Sequence, residues 1–449
     1  MMEFRRKVYD ELLEWKTTSD GRSAAMVQGA RRVGKSTIVE RFAKEQYKSY
    51  ILVDFVETDD DTRRIFIDYR TDLNMLFNRL QLKTNTKLYE RNSVIIFDEV
   101  QEFPLAREMI KALVKDHRYD YIETGSLITI KTKISSIRVP SEEHKVDMYP
   151  MDFEEWLWAN DDDVTADMLR SLMGKGEPLG DATHKSILRK YIEYMIIGGM
   201  PQVVSAYLER HDLMEAESIK KDILDLYRDD IHKIPGPAMG RALNLFNSIP
   251  AILSSPHKVL SPTKIEKGTR KRDYDTAIEW LCDAKIFNRC RCSSDPNAAI
   301  GLSEDVSRVK CYLLDTGLLI SLAFQKDRKR LAETYGLLMD GKMSINKGML
   351  FENMVSQELV CTGHDLWFTE FEKKGSKRKY EVDFILPNGS GITPLEVKSG
   401  KSKPHASLDK LMEKYKGRID GAYVIHSKDL RTDSGITYAP IYLMQFIGL

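Results

Sequence analysis

The chain has 449 residues, 42% of them hydrophobic and 30% charged, with 68 basic side chains against 68 acidic ones. At roughly 100 to 200 residues per domain, that length predicts two to four cores rather than one. Balanced charge excludes a surface that is polyanion-binding throughout, and no apolar run approaches the roughly 20 residues needed to cross a bilayer, so no membrane partner is expected.

The amino terminus, MMEFRRKVYDELLEW, lacks an apolar signal core and a small-residue cleavage site, which predicts a cytoplasmic chain. Five cysteines (Cys282, Cys290, Cys292, Cys311 and Cys361) are odd in number and lack paired metal spacing, so they read as reduced core residues. Up to about residue 130, the β-rich stretches SAAMVQG, SYILVDF, SVIIFDE and YDYIETG alternate with charged amphipathic runs. That alternation predicts a parallel sheet covered by helices on both faces.

The middle third turns helical, as in SILRKYIEYMIIGG and HDLMEAESIKKDILDLYRDDIHKI, with no strand signal until about residue 286. GGMPQVV reads as a packing turn, with Gly198 and Gly199 closing a helix before Pro201. SPTKIEKGTRKRDYDTAIEWLCDAKIFNRCRC then reads as helix, turn, helix and strand, a winged-helix-like order with Ser261 as N-cap ahead of Pro262. After a charged stretch ending near Gly341, the helix KGMLFENMVSQELV and the strands LWFTEFE, YEVDFILP, ITPLEVK and GAYVIH predict a second α/β domain.

Two stretches carry chemistry. Gly29, Ala30, Arg31, Arg32, Val33, Gly34, Lys35, Ser36 and Thr37 match G-x-x-x-x-G-K-S/T between a strand and a helix, the setting a phosphate loop requires. Glycines let the backbone approach phosphates, Lys35 reaches the outer two, and the Ser36 hydroxyl ligates Mg²⁺. SVIIFDE brings Asp98 to the carboxyl edge of the sheet as a second Mg²⁺ ligand, and Glu99 beside it fits the base that activates water. Thr124 or Ser126, at the end of the next strand, suits a γ-phosphate sensor or a plain turn residue. The cofactors expected are therefore ATP and Mg²⁺.

The second stretch is Asp383 followed by Glu396 and Lys398. Period-2 geometry puts Glu396 and Lys398 on one face of a strand and Asp383 on its neighbour, and Glu352 on the preceding helix is placed to complete the cluster. Two carboxylates and a lysine suit a metal-dependent nuclease, with Glu352, Asp383 and Glu396 as ligands; an exposed cross-strand ion pair satisfies the same string. Lys373, Lys374, Lys377, Arg378 and Lys379, with Lys401 and Lys403, suit a phosphate backbone or a solvated loop equally. Lys264, Lys267, Arg270, Lys271 and Arg272 fall where a winged helix meets DNA, though Glu266 and Asp273 interrupt them.

In order, GARRVGKST, IIFDEVQEFP, ETGS, MYPMDFEEWL, GGMPQVV, LYRDDI, KCYLLDTGLL, NKGMLFENMVSQEL, EVDFILPNG and PLEVKSG resemble the prokaryotic AAA+-type ATPases that carry a C-terminal nuclease-like domain. The resemblance implies an α/β chain in four parts: an AAA+-type P-loop domain over 1–155, a helical lid-like region over 156–240, a winged-helix-like domain over 241–335 and a restriction-endonuclease-like domain over 342–449. ATP is the partner expected from the loop and the acidic pair, and DNA the partner expected from the basic clusters and from two phosphate-handling sites in one chain. Members often show a Gly-Arg pair soon after the sensor strand, whereas this chain has SSIRVPSEEHK. That leaves Arg138 as the nearest arginine finger and a homo-oligomeric mechanism open.

Overall fold

Four of the apolar runs become strands at the expected places: β1 (Ala24–Gly29), β2 (Ser49–Asp54), β3 (Ser93–Asp98) and β4 (Asp120–Gly125). The structure, a computed structural model, describes residues 2–125, 141–324, 328–339, 347–373, 375, 379–400 and 405–447. These divide into two units, one of Phe4–Tyr149 with Asp283–Lys285, the other of Met1–Glu3, Pro150–Cys282 and Ile286–Leu449.

In the first unit the sheet order is β2-β3-β4-β1-β5, every neighbour parallel. β1, β3 and β4 are buried from end to end, as parallel strands covered on both faces must be. Their helices are α1 (Lys7–Ser19), α2 (Lys35–Gln46), α3 (Asp60–Asp68), α4 (Leu73–Thr84) and α5 (Pro104–Asp116). One face of the sheet is packed by an aromatic group in which Phe55 stacks on Phe103 at 5.1 Å and meets Phe66 edge-on at 5.7 Å.

The fifth strand, β5 (Glu143–Met148), falls where no strand was expected, because EHKVDM has no apolar period. As an edge strand it buries little, and its ladder to β1 runs from Ala24 opposite Glu143 to Gly29 opposite Met148. Arg107 of α5 anchors it with two bonds of 2.8 Å to the Glu143 carboxylate, the two side chains being 4% and 2% exposed. Burial, and then the Glu143 charge, push the neighbouring Glu123 carboxyl well above its ordinary range.

The second unit opens with the helix Phe153–Ala159, closed by a capping box in which Asp152 accepts from the Glu155 amide and Glu155 from the Asp152 amide. The helices Val164–Lys175, Asp181–Ile197, Pro201–Arg210, Leu213–His232 and Ala238–Ser254 follow, agreeing with the helical reading of this region. GGMP is indeed a packing turn: Gly198 is left-handed (φ 85°) and the Gly199 amide donates to Asp315 at 2.6 Å. Burial raises the Asp315 carboxyl above its usual range, against the pull of the amides of Gly199 and Leu318.

Beyond it the one-turn helix Pro262–Ile265 and the helix Lys271–Asp283 lead into β6 (Phe287–Ser293) and β7 (Glu304–Leu313). Ser261 precedes the short helix without forming a side-chain cap bond. Helices Thr316–Phe324, Arg328–Met339 and Lys347–Cys361 come next, then β8 (Leu366–Glu372), β9 (Lys379–Val382), β10 (Phe384–Asn388), β11 (Gly391–Val397), the helix Ala406–Lys414, β12 (Tyr423–His426), β13 (Arg431–Asp433) and β14 (Ile436–Pro440). They form two sheets, β7-β6-β8-β9 and β10-β11-β12-β14-β13.

One sheet spans the expected boundary between residues 335 and 342, since β6 pairs in parallel with β8. One expectation needs correction. YEVDFILP is not one strand: it breaks at Asp383 into β9 and β10, which belong to different sheets. The two halves still share a core, in which Trp367, Phe371 and Val382 pack with Ile385, Ile392 and Leu411.

A Cβ at Gly199 would lie 2.0 Å from the Met151 carbonyl oxygen, backbone that cannot swing aside, whereas one at Gly240 would meet nothing within 4 Å. Gly199→Ala is therefore expected to destabilise the protein by about 2–4 kcal/mol, and Gly240→Ala to be neutral or stabilising by up to about 1 kcal/mol. Urea unfolding midpoints of the two variants check this, and equal midpoints would refute it.

Candidate active site

Because β4 lies between β1 and β3, the ends of all three strands meet at one edge. β1 delivers the loop from Gly29 to Gly34, and Gly34 takes a left-handed conformation (φ 97°) where α2 begins. At Gly29 a Cβ would lie 2.2 Å from the Met148 carbonyl oxygen at the end of β5, so the loop starts where only glycine fits. The buried guanidinium of Arg6 braces the loop from below, donating to the carbonyls of Val33 at 3.0 Å and Tyr149 at 2.7 Å.

Lys35 is 5% exposed and points into the loop, its ammonium donating to the carbonyls of Gly29 (3.1 Å) and Ala30 (3.0 Å). Ser36 donates to Asp98 Oδ1 at 3.0 Å, and Thr124 donates to the same oxygen. Thr124 also accepts from the Glu99 amide at 3.2 Å. Lys35, Ser36, Asp98, Glu99 and Thr124 thus stand together at the edge where the sequence placed them, while Arg31, Arg32 and Thr37 are exposed on the loop and first turn. Ala30 and Val33 are buried beneath it. Ser126 and Arg138 lie outside the described residues.

The residues present fit a magnesium nucleotide. A carboxylate buried to 4% exposure carries two hydroxyl donors on one oxygen, one of them the loop serine, an arrangement that keeps an anion beside a phosphate cradle without a cationic partner among the described residues. Sequence reasoning passed over Gln101, whose amide donates to Glu99 Oε2, and Arg6. A place two residues after the acidic pair was the signal for the first; nothing marks the second.

The other cluster of candidate residues lies in the second unit. Glu352, in the helix Lys347–Cys361, accepts from Tyr312 at 2.5 Å and pairs with Lys258. Lys310, on β7 and 0% exposed, pairs with Glu381 at 2.6 Å and approaches Glu352 (3.6 Å) and Asp383 (4.0 Å). Asp383 sits at the bend between the sheets and accepts from the Val397 amide at 2.8 Å, while Lys398 pairs with Glu396 at 2.5 Å.

Burial, and then the Glu352 charge, push Asp383 up to about 7. Burial alone would raise Glu352 too, but Lys258 and Lys310 outweigh it and hold it below the usual carboxylate range. For Lys310 burial is opposed by Glu381, Glu352 and Asp383, which hold its ammonium above the ordinary lysine range. Among the described residues no three His, Cys, Asp or Glu side chains form a group that could hold a metal ion. Of the expected ligands Glu352, Asp383 and Glu396, Glu352 and Glu396 face lysine ammonium groups, with Asp383 near a third.

Nothing in the residue pattern marks Lys258, and Lys310 shows only as a single charge within the apolar strand VKCYL. Lys373 and Lys379 are exposed, and Lys374, Lys377, Arg378, Lys401 and Lys403 lie outside the described residues.

Residues 21–157 match the family model of an AAA domain. That stretch of the chain is an AAA-type domain with a phosphate loop. Two further models, each described as a domain of unknown function, match residues 188–329 (DUF8612) and 347–444 (DUF4143). A curated relative from Haemophilus influenzae, an uncharacterized protein, is 20% identical over 410 residues, which cover 88% of this chain and 86% of that one. Among solved structures, a Walker-type ATPase of Pyrococcus abyssi aligns with a TM-score of 0.40 at 15% identity, covering 71% of this chain and 96% of its own. A STAND protein with a tetratricopeptide-repeat sensor from Pyrococcus horikoshii aligns at 0.27 and 11% identity, covering 79% and 48%. No helix among the described residues is long and apolar enough to cross a membrane.

The raised Asp383 carboxyl gives a stability signature. Its folded pKa of about 7 exceeds the unfolded value of about 3.9, so the folded state binds more protons between them and stability falls as pH rises across that window, levelling above it. Asp383→Asn removes the effect. The variant is expected to gain on wild type in urea midpoint from pH 5 to pH 8, and a difference independent of pH would show that Asp383 is ionised throughout.

Proposed function

We propose that the protein binds Mg-ATP at the AAA domain and hydrolyses it, using the nucleotide state to control an association with DNA. The observation that carries the hydrolytic part is the shared oxygen of Asp98, held by Ser36 and Thr124 at the mouth of the phosphate loop. In this reading the loop amides and Lys35 bind the phosphates, and Ser36 and Asp98 hold the cation. Bound Mg²⁺ neutralises charge on the outer phosphate oxygens. Glu99 accepts the proton of the attacking water, and Thr124 links that glutamate's backbone to Asp98, so that a change at the phosphate is felt at the base.

DNA association rests on exposed Lys264, Lys267, Arg270 and Arg272 around the short helix and turn that precede Lys271–Asp283. Lys271 itself is half-buried and paired with Asp275. For the C-terminal cluster we favour a binding module that does not cut, because Lys258 and Lys310 lie against Glu352 and Asp383, carboxylates a nuclease would use as ligands. A Mg²⁺-dependent nuclease with Asp383, Glu396 and Lys398 as catalytic residues is the competing reading.

Lys35→Ala is expected to lower ATP turnover by about 100-fold or more, and Glu99→Gln by a comparable factor while nucleotide affinity persists. Lys35→Ala with undiminished turnover would remove the ATPase assignment. Wild-type protein incubated with plasmid and Mg²⁺ or Mn²⁺ is expected to leave it intact. Cleavage lost in both Asp383→Ala and Lys398→Ala would instead establish the nuclease. Replacing Lys267, Arg270 and Arg272 together should weaken DNA binding and flatten its salt dependence by roughly one unit of slope per lost phosphate contact.

A further inference from the structure

Two residues beyond the acidic pair, Gln101 occupies a single 3₁₀ turn, Val100–Glu102, and is 7% exposed. A primary amide buried to that degree is costly unless its groups are bonded. The turn is possible because Glu99 adopts a left-handed backbone (φ 50°, ψ 48°), an uncommon conformation for a glutamate, and the Glu102 amide closes on the Glu99 carbonyl at 2.9 Å. This reversal brings the Gln101 side chain back onto Glu99.

There its Nε2 donates to Glu99 Oε2. The orientation of the amide is set by charge, since the reverse would place two acceptors against each other. Its other end, Oε1, lies against the last residue of β4, where a Cβ on Gly125 would be 2.5 Å away. The amide therefore spans from the carboxylate of Glu99 to the strand that carries Thr124. Thr124 in turn holds the Glu99 backbone and Asp98.

Resting on the ATPase reading above, we propose that Gln101 is a positioning residue for hydrolysis: its amide tethers one oxygen of Glu99 so that the other is presented for proton acceptance, with the end of β4 as its backstop. A glutamate on a turn has three side-chain torsions, and one hydrogen bond to a buried amide removes most of that freedom before a water molecule arrives. The lack of a side chain at Gly125 is what leaves room for the tether.

The test uses the full chain and reads turnover, KM and affinity for a fluorescent ATP analogue. Gln101→Leu, similar in volume and without donors, is expected to lower kcat roughly tenfold with KM and analogue affinity within about twofold of wild type. In a Glu99→Gln background the same substitution is expected to have no further effect, because the residue acts only through that carboxylate. Gly125→Ala, whose Cβ would displace the amide, should reproduce the kcat loss, and decides the matter if Gln101→Leu does not bind nucleotide. Wild-type kcat in Gln101→Leu, or an equal fractional loss with and without the Glu99 carboxylate, overturns the tether alone. Turnover indifferent to Lys35→Ala overturns the ATPase reading, and the tether with it.

Discussion

Much of the AAA domain's chemistry depends on how one buried carboxylate is satisfied. Asp98 is 4% exposed, and an anion so placed needs donors. They come as hydroxyls, Ser36 from the helix after the loop and Thr124 from the adjoining strand, and not as an ammonium. The sheet order makes this possible, because only with β4 between β1 and β3 does a strand end beside both the loop and the acidic pair. Neutral donors satisfy the oxygen without cancelling its charge, and Lys35 donates to the loop carbonyls of Gly29 and Ala30.

The acidic cluster of the second unit solves the same problem the other way. Glu352, Glu381 and Glu396 each face a lysine, while burial and the Glu352 charge push the Asp383 carboxyl up. Internal cations neutralise the carboxylates at the cost of their availability as ligands. Removing one partner, Lys310 above all, would strand charge in a buried place. The network therefore acts as polar mortar joining β7, the helix Lys347–Cys361 and the bend between the two sheets. The contrast between hydroxyl-satisfied and lysine-satisfied carboxylates separates the two sites more sharply than the similarity of their acidic motifs.

What could be read in the chain follows from what period and spacing encode. The first four strands of the parallel sheet were legible because burial on both faces forces continuous apolar runs, and the loop was legible because its constraints are local. β5 was not, since an edge strand anchored by Arg107 and Glu143 needs no apolar pattern. Asp383 was misplaced for a related reason: YEVDFILP keeps a strand's composition through a bend, and only pairing partners reveal that its halves enter different sheets. Lys310 carried no usable signal, because its partners come from three separate elements.

The motifs without evident chemistry find their reason in packing over long sequence separation. GGMP marks a turn in any reading, but the need for two glycines comes from Asp315, 116 residues away, whose carboxylate takes the Gly199 amide. It also comes from Met151, whose carbonyl leaves no room for a Cβ at Gly199. DTG contributes a third close approach, since a Cβ at Gly317 would lie 2.5 Å from the Ile197 carbonyl oxygen. Nearby, Lys220 and Glu217, each 1% exposed, share the hydroxyl of Tyr335, with Ser321 completing the glutamate's shell. Removing Glu217 would take from the buried Lys220 its paired carboxylate, and removing a hydroxyl would cost the pair a hydrogen bond, so the group specifies how these helices meet more than it adds stability. Residues recurring as motifs need not touch a substrate: here a string of glycines and acids records where backbones must pass within a few ångströms of one another.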